Sequence, residues 1–415
     1  MEGELLNSEY FIIYQLGEGA FATVWMAFNI KDKQYYAIKM QNPEDYDEAL
    51  NEINLFNKIV HPNIMKLIET FNYIKDDETY KCMVFEIMAC STYKLLKDER
   101  YKNGLPLAVV KKIIYQTVQA IVYIHDNLKI IHADIKPENI LMEGCNELVL
   151  KFMKACAENN IETYFGNGKG KKVALENKCI AFIKKIYNSD KYEFIKQFML
   201  DDHIFSNTPY DSREQSVSDY TSDEEEKIKY VSNQVCHDIT EECKVKLTDF
   251  GSSFMFDNKP TDEIQTRYYR APEIILNNEY NHKIDVWALG CTIYELLTGK
   301  ILFDPYKIEN CNLDREHLYK MSQYFGEIPI EIIEKSKRCK YLFEPNSNKV
   351  KKMPNLEPLS LKIIFMQHNM SEQDALDTEQ FIQYICTFDI NKRPEFRDIQ
   401  EHNWFKAVLQ NRFQS

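Results

Sequence analysis

Several features that mark other classes of protein are missing from this 415-residue sequence. Its 11 cysteines are scattered without a Cys-x-x-Cys pair or a zinc-site spacing, which favours reduced thiols in a reducing compartment. No apolar run approaches the roughly 18 residues that a spanning helix needs, and residues 1–9 do not resemble a signal peptide. We therefore expect a soluble, intracellular protein with no membrane partner, located in the cytoplasm or also in the nucleus.

The sequence also lacks an excess of positive charge. Its formal net charge is −13 at pH 7, which argues against direct binding to nucleic acid or to an acidic membrane, because both need a basic surface. An acidic chain would suit a basic protein partner, although many acidic soluble proteins have none.

The apolar pattern changes along the chain from strand-like to helix-like. The first part of the sequence contains short runs of β-branched and aromatic residues bounded by glycine or polar turns, which predict strands. One helical stretch at 47–59 interrupts them, with apolar residues at spacing three. From Leu105 onward the helical period dominates. This order predicts an α+β protein with a small β-rich N-terminal lobe and a larger helical C-terminal lobe.

A long insert interrupts the predicted helical lobe. Its first half keeps amphipathic stretches, whereas residues 206–229 are polar and acidic and are expected to be disordered. We divide the chain into a tail (1–9), an N-terminal lobe (10–88), the first part of the C-terminal lobe (89–142), an insert (143–242), the remainder of the C-terminal lobe (243–405) and a second tail (406–415).

A G-x-G-x-x-A-x-V stretch joins the first two predicted strands. A dinucleotide-binding fold would have a helix after the glycines, whereas a second strand follows here, so a hairpin whose tip can fold over phosphates is predicted. The nucleotide-binding residues predicted for this hairpin are Leu16, Gly17, Glu18, Gly19, Ala20, Phe21, Ala22, Thr23 and Val24.

A lysine stands at the end of the next apolar strand, in the segment Ala37-Ile-Lys39. A cation at this point can bind the α- and β-phosphates of a nucleotide, and it needs a carboxylate to hold it. Glu52, on the predicted helix, is the candidate partner. Either residue alone would be read as a solvated surface charge, but their order after the glycine-rich hairpin favours a functional pair.

Two further segments carry residues suited to phosphoryl transfer, a reaction that needs positioning and charge neutralisation. In His132-Ala-Asp134-Ile-Lys136-Pro-Glu-Asn139, the aspartate can accept a hydroxyl proton and the lysine can offset charge on the phosphoryl group. Asn139 can reach a magnesium ion. Asp249-Phe-Gly251, which follows a short apolar strand, supplies a second and stronger magnesium ligand, since a carboxylate suits that hard cation.

Together these motifs resemble the protein kinase family, from about residue 10 to residue 405 without the insert. The resemblance implies ATP and Mg²⁺ as cofactors, transfer to serine or threonine hydroxyls, and Asp134 and Lys136 as catalytic residues. It implies further ATP-pocket positions, which are Ala37, Phe85, Glu86, Met88 and Leu141. Residues implied in the activation segment or its support are Gly251, Glu263, Arg267, Arg270, Glu273, Asp285 and Arg393, of which Asp285 would anchor the catalytic loop and Arg393 would pair with Glu273.

Several segments are similar to the SR-protein kinases in particular. They are residues 45–53, 83–87, 104–107 with 110–114, 131–141 and 262–267, and the insert itself is similar to the one in that family. The resemblance implies phosphorylation of serine beside arginine in basic Arg/Ser-rich proteins by a monomeric enzyme. It also places Asp314 and Glu316 where that family keeps acidic docking residues, although Arg315 stands between them here.

The same comparison suggests how activity is regulated. Kinases that depend on activation-loop phosphorylation usually carry arginine before the catalytic aspartate, whereas Ala133 stands here. Glu263, a permanent anion, occupies the place where relatives carry a phosphorylated tyrosine. We therefore predict activity without activation-loop phosphorylation. The acidic part of the insert is a second candidate control point, through Ser216, Ser218, Thr221 and Ser222.

Two alternatives stay open on the sequence. The first is a kinase of the same branch with another substrate rule, such as the dual-specificity tyrosine-regulated type. The second is a pseudokinase scaffold, which would be favoured by the loss of a residue needed for the reaction. None of these residues is missing: Lys39, Glu52, Asp134, Asn139 and Asp249 are all present.

Overall fold

The computed structural model describes residues 1–19, 21–144, 146–166, 168–187, 189, 191, 243–260, 264–306, 312–406 and 408. The described residues form two compact units. The first unit contains residues 1–60, 65–90 and the described insert residues from Glu143 onward. The second contains residues 61–64, 91–142 and the described residues from Cys243 onward.

Strands dominate the first unit and helices the second, so the α+β prediction is confirmed. The strands are β1 (Leu5–Leu6), β2 (Tyr10–Glu18), β3 (Ala22–Asn29), β4 (Tyr35–Gln41), β5 (Leu67–Lys75), β6 (Glu78–Phe85), β7 (Cys90–Ser91), β8 (Ile130–Ile131), β9 (Ile140–Met142), β10 (Val245–Leu247) and β11 (Phe254–Met255). The α-helices are α1 (Tyr46–Phe56), α2 (Thr92–Leu96), α3 (Leu107–Tyr123), α4 (Glu147–Glu158), α5 (Ile161–Tyr164), α6 (Lys172–Tyr187), α7 (Pro272–Leu276), α8 (Ile284–Thr298), α9 (Leu313–Phe325), α10 (Ile330–Glu334), α11 (Cys339–Leu342), α12 (Leu361–Gln367), α13 (Glu372–Ile385) and α14 (Phe396–Gln400).

The first unit is built on a six-stranded antiparallel sheet in the order β1-β2-β3-β4-β6-β5. Residues of strands alternate between its two faces. Tyr10 and Ile12 of β2 pack on one face with Trp25 and Ile38, whereas Phe11 and Ile13 belong to a cluster on the other face. Strand β1 pairs with β2, and Leu6 is fully buried, so the segment predicted to be a tail is part of the sheet.

The first half of the insert folds onto this second face. Helices α4, α5 and α6 contribute eleven buried apolar residues to the cluster that contains Phe11 and Ile13, and Phe165, just after α5, adds a twelfth. Aromatic rings make much of the contact. The ring of Phe11 lies 5.4 Å from that of Phe165 and 5.8 Å from that of Phe182. The predicted disorder at 206–229 and the four candidate phosphorylation sites lie outside the described residues.

The second unit is organised around two buried helices, α3 and α8. Every residue of α8 is buried, and its Trp287 ring stacks on Phe303. Within the described residues, one helical stretch, Leu107–Leu128, is long and apolar enough to cross a membrane by length and composition. Its buried face, including Val110, Ile113 and Ile121, packs instead in the core of this unit. Two short antiparallel pairs, β8 with β11 and β9 with β10, lie beside these helices and carry the loops of the candidate site.

Candidate active site

The glycine-rich hairpin connects β2 to β3 in the first unit. The backbone N–H of Gly19 donates to the carbonyl oxygen of Ala22 at 2.9 Å and so narrows the tip of the turn. Phe21 is 64% exposed at this tip, which leaves its ring free to cover a ligand. Leu16, Thr23 and Val24 are half-buried along the two strands, and Ala20 lies outside the described residues.

The lysine and glutamate predicted to pair lie in contact in the first unit. The Lys39 Nζ atom on β4 lies 3.0 Å and 2.8 Å from the two carboxylate oxygens of Glu52 on α1. Glu52 is only 2% exposed, and this lysine supplies a counter-charge to its buried carboxylate. The Phe85 ring of β6 lies 5.3 Å from that of Phe56 on α1, and Ala37 pairs with Phe85 across β4 and β6. Helix α1, which carries Glu52, therefore also packs against the central strand β6. Glu86 and Met88, beyond the end of β6, are half-buried.

The catalytic-loop aspartate lies at the centre of a polar cluster in the second unit. One carboxylate oxygen of Asp134 accepts the hydroxyl of Thr266 at 2.7 Å. The other lies 2.8 Å from the Lys136 Nζ atom and accepts the Asn139 amide at 3.0 Å. Lys136 also donates to the Thr266 hydroxyl at 3.1 Å. One threonine therefore holds both residues predicted to be catalytic.

Lys136 stays positively charged in this cluster. Burial by itself would lower the pKa of Lys136, but the nearby carboxylates of Asp134 and Glu138 outweigh it and raise the pKa above its ordinary value. A permanent cation beside Asp134 is suited to neutralise charge on a phosphoryl group during transfer.

Asp285 anchors the backbone of the catalytic loop just before Asp134. Its carboxylate accepts the backbone N–H of His132 at 2.9 Å and of Ala133 at 2.8 Å, and it lies 2.9 Å from His125 Nε2. Ala133 has φ +63°, a left-handed conformation that is unfavourable for residues other than glycine. Because Asp285 is fully buried on α8, these hydrogen bonds keep the strained backbone in place just before Asp134. The resemblance to protein kinases implies this anchoring role for Asp285, and these contacts agree with it.

The two residues predicted to bind magnesium, Asn139 and Asp249, lie at the same end of the β9–β10 pair, one just before β9 and the other two residues after β10. Leu247 of β10 pairs with Ile140 of β9, and the Thr248 N–H donates to the carbonyl oxygen of Asn139 at 3.0 Å. Asp249 follows with φ +63°.

The side chains that flank these residues are packed on the catalytic loop. The Phe250 ring is fully buried and lies 4.9 Å from that of His132. The Ser253 hydroxyl donates to the carbonyl oxygen of His132 at 3.0 Å. Gly251 lies half-exposed in the turn between them, and Leu141 is half-buried in β9.

The chemistry of these donors fits magnesium. Mg²⁺ prefers oxygen ligands and usually keeps one or two protein carboxylates together with substrate phosphates and water. Asn139 and Asp249 offer one amide and one carboxylate. In the part of the chain that the structure describes, no group of three or more His, Cys, Asp or Glu residues could hold a metal ion.

Gln265 holds the activation segment in its folded form. Its side-chain oxygen accepts the Ala271 N–H at 2.9 Å, its side-chain nitrogen donates to the carbonyl oxygen of Ile284 at 3.1 Å, and its own carbonyl oxygen accepts from Arg270 at 3.0 Å. Farther along, Glu273 forms a buried two-bond ion pair with Arg393, as the sequence comparison implied, with both distances 2.6 Å. Glu263 lies outside the described residues.

The two acidic residues predicted to dock a basic substrate have internal partners instead. Asp314 is buried on α9 between Arg267 and Arg338, whose guanidinium groups hold its pKa below the usual range against the opposing effect of burial. Glu316 is 2% exposed, accepts the Tyr306 N–H and pairs with Lys320. Since both carboxylates are buried and already neutralised, we do not retain them as docking residues.

Sequence reasoning missed Thr266 and Gln265. Both lie in the segment 262–267 that carried the resemblance to SR-protein kinases, yet neither received a role because a hydroxyl or an amide in a loop has no distinctive spacing. Their partners, Asp134 and Ile284, are 132 and 19 residues away along the chain. Only the folded structure brings these groups together.

A carboxylate held against a lysine, two neighbouring magnesium-type ligands, a buried lysine–glutamate pair and a glycine-rich hairpin together define a phosphoryl-transfer enzyme. The protein kinase domain model matches residues 10–156 and 231–405, and the chain belongs to this family. It is a serine/threonine protein kinase, and the domain implies ATP as a substrate together with a divalent metal.

The similar proteins include kinases of the SR-protein kinase type, which confirms the resemblance found in the sequence. The chain is 29% identical to a candidate serine/threonine-protein kinase of Acanthamoeba polyphaga mimivirus, over 98% of this chain and 89% of that protein. It is 26% identical to serine/threonine-protein kinase SRPK of Physarum polycephalum (98% and 88%) and 23% identical to SRSF protein kinase 3 of Mus musculus (97% and 87%). A crystal structure of another kinase domain superposes with a TM-score of 0.63 at 21% identity, covering 98% of this chain and 97% of that one, which confirms the fold.

Proposed function

We propose that this kinase uses ATP and Mg²⁺ to phosphorylate serines in Arg/Ser-rich proteins, and that it is active without phosphorylation of its activation segment. The observation that carries the chemistry is the contact of Asp134 with both Lys136 and Thr266. The substrate class is supported by relatives named for SR proteins and by the net charge of −13, which favours a basic substrate.

In this proposal each side chain has a defined task. Asp134 accepts the proton of the substrate hydroxyl, and Lys136 neutralises the phosphoryl group as it moves. Thr266 holds the side chains of Asp134 and Lys136 in place through its hydroxyl. Lys39, oriented by Glu52, binds the nucleotide phosphates. Asn139 and Asp249 would hold the magnesium ion, which would supply positive charge to stabilise the phosphates during transfer.

Peptide phosphorylation tests the substrate class. Purified kinase is incubated with labelled ATP, magnesium and one of four serine peptides: Arg-Ser repeats, Lys-Ser repeats, an acidic peptide, or one with proline after serine. We expect strong transfer to the Arg-Ser peptide and at least tenfold less to the Lys-Ser peptide, because a guanidinium binds carboxylates through two hydrogen bonds whereas an ammonium cannot. Preferential transfer to the proline peptide would instead support the dual-specificity tyrosine-regulated type.

Independence from activation-segment phosphorylation is a separate prediction. Gln265 already links the segment to α8 and to Arg270, and Ala133 offers no cation to bind a phosphate. Treatment with a broad-specificity phosphatase, followed by its removal, should leave kcat unchanged, with complete dephosphorylation verified by intact mass. Gln265→Ala should lower kcat whether or not the protein was treated. A loss of tenfold or more on treatment of the wild type, reversed by rephosphorylation, would contradict the prediction.

A further inference from the structure

We propose that two aromatic residues of the insert, Phe152 and Tyr187, position the glycine-rich strand β2 and thereby set the affinity of the kinase for ATP. Both are positioning residues, because they act on ATP only through β2. The inference rests on ATP as the kinase substrate and is independent of which protein is phosphorylated.

The pairing of β2 with β3 is interrupted just before the glycines. Ile12 pairs with Ala27 and Tyr14 with Met26, so Ile13 is skipped. The ladder skips once more between Gln15 and Gly17. A bulge of this kind leaves the backbone groups of the extra residue without their usual ladder partners and bends the strand. The pairing of β2 with β3 is therefore interrupted twice over the residues that lead into the nucleotide-binding turn.

The insert supplies a partner at the first bulge. The Tyr187 hydroxyl, at the end of α6, donates to the carbonyl oxygen of Ile13 at 2.8 Å. This is a carbonyl of the skipped residue, in a partly buried position where a missing partner would be costly. One insert side chain thus bonds directly to the backbone of β2 at the bulge.

The insert also holds the side chains that follow. Phe152 of α4 is 1% exposed, and its ring stacks on that of Tyr14 with centroids 4.6 Å apart and an interplanar angle of 27°. Leu16, the last residue before Gly17, packs against the same cluster. The stretch with interrupted pairing is therefore fixed by packing on α4 and α6.

Helix α4 also contacts the segment after β6, where Glu86 and Met88 are predicted to bind ATP. Ile87, between them, packs against the apolar cluster that the insert helices form with Phe11 and Ile13. Asn146 caps the start of α4 by accepting the Val149 N–H, and its amide nitrogen donates to the carbonyl oxygen of Ala89 at 2.8 Å. Helix α4 consequently contacts both β2, which leads into the glycine-rich turn, and the segment after β6.

The variants Tyr187→Phe and Phe152→Leu test the proposal in the full-length protein. Tyr187→Phe keeps the ring and removes one hydrogen bond, so we expect the KM for ATP to rise about threefold to tenfold. Phe152→Leu should raise it by about tenfold or more. The kcat and the KM for the peptide substrate should stay within about twofold, since the Lys39–Glu52 pair and the Asp134 cluster keep their contacts. Amide hydrogen exchange should become faster in the segment 13–17.

Tyr164→Phe is the matched control. Tyr164 lies in the same insert and packs on Phe165 and Phe182, so its loss of a hydroxyl should leave the KM for ATP and the exchange of β2 unchanged. If both test variants lower the melting temperature but keep the wild-type KM for ATP, the insert only stabilises the unit and the proposal is wrong. A lower kcat with an unchanged KM for ATP, seen as the same proportional loss of rate at every ATP concentration, would also overturn it. Any accepted peptide serves for these assays, so failure of the Arg-Ser prediction would not affect the result.

Discussion

Asp134→Asn should lower kcat by about 10²- to 10⁴-fold while the KM for ATP changes little. An amide has the size of the carboxylate but cannot accept a proton, and general-base catalysis is typically worth a factor of this order. The substitution also removes the negative charge that faces Lys136 at 2.8 Å and accepts the Thr266 hydroxyl at 2.7 Å. Initial rates with the best peptide, measured over a range of ATP concentrations, separate the two constants.

Asp126→Asn is the control for this experiment. Asp126 is a more exposed carboxylate of the same unit and pairs with Arg397, so its loss should leave kcat unchanged. Circular dichroism and the melting temperature should match the wild type for both variants. A kcat above one tenth of the wild-type value in a correctly folded Asp134→Asn protein would contradict the assigned role. A true scaffold would show no transfer in the wild type, and the variant would then make no difference.

The sequence allowed the site to be predicted where chemistry depends on short spacing. Asp134, Lys136 and Asn139 lie within six residues, and the fold between them is one short loop, so the spacing alone places them together. Lys39 and Glu52 are also close in the chain, and the strand–helix order brings them into contact. These contacts can be predicted because the residues are close in the sequence and local structure alone brings them together.

Long-range relations were harder to predict. The insert helices were recognisable by their periodicity, but a period of 3.6 shows only that a helix has an apolar face and not which surface it covers. One signal was present: Tyr10 to Tyr14 form an uninterrupted apolar run, which indicates a strand buried on both faces. The residues that cover its second face, such as Phe152 and Phe182, are more than 130 positions away. Asp314 shows the converse limit, since its sequence context could not reveal that Arg267 and Arg338 neutralise it.

Arg393→Met should lower the free energy of unfolding by about 3–5 kcal/mol, because it leaves the Glu273 carboxylate buried without its counter-charge. Arg393 is fully buried, binds both oxygens of Glu273 at 2.6 Å, and donates to the carbonyl oxygens of Thr387 and Lys283. Methionine fills a similar volume but provides none of these donors. For a unit of this size, the loss corresponds to a melting temperature lower by roughly 10 °C.

Arg397→Met provides the comparison for this loss. Arg397 lies four positions later and pairs with Asp126, but it is 72% exposed, and exposed pairs contribute about 0–1 kcal/mol. Its melting temperature should therefore stay close to the wild type. In a double-mutant cycle, Glu273→Leu combined with Arg393→Met should cost less than the sum of the two single changes, since no buried charge is then left unpaired. Strict additivity, or a shift below about 2 °C for Arg393→Met, would mean that the pair does not hold the activation segment to the core of the second unit.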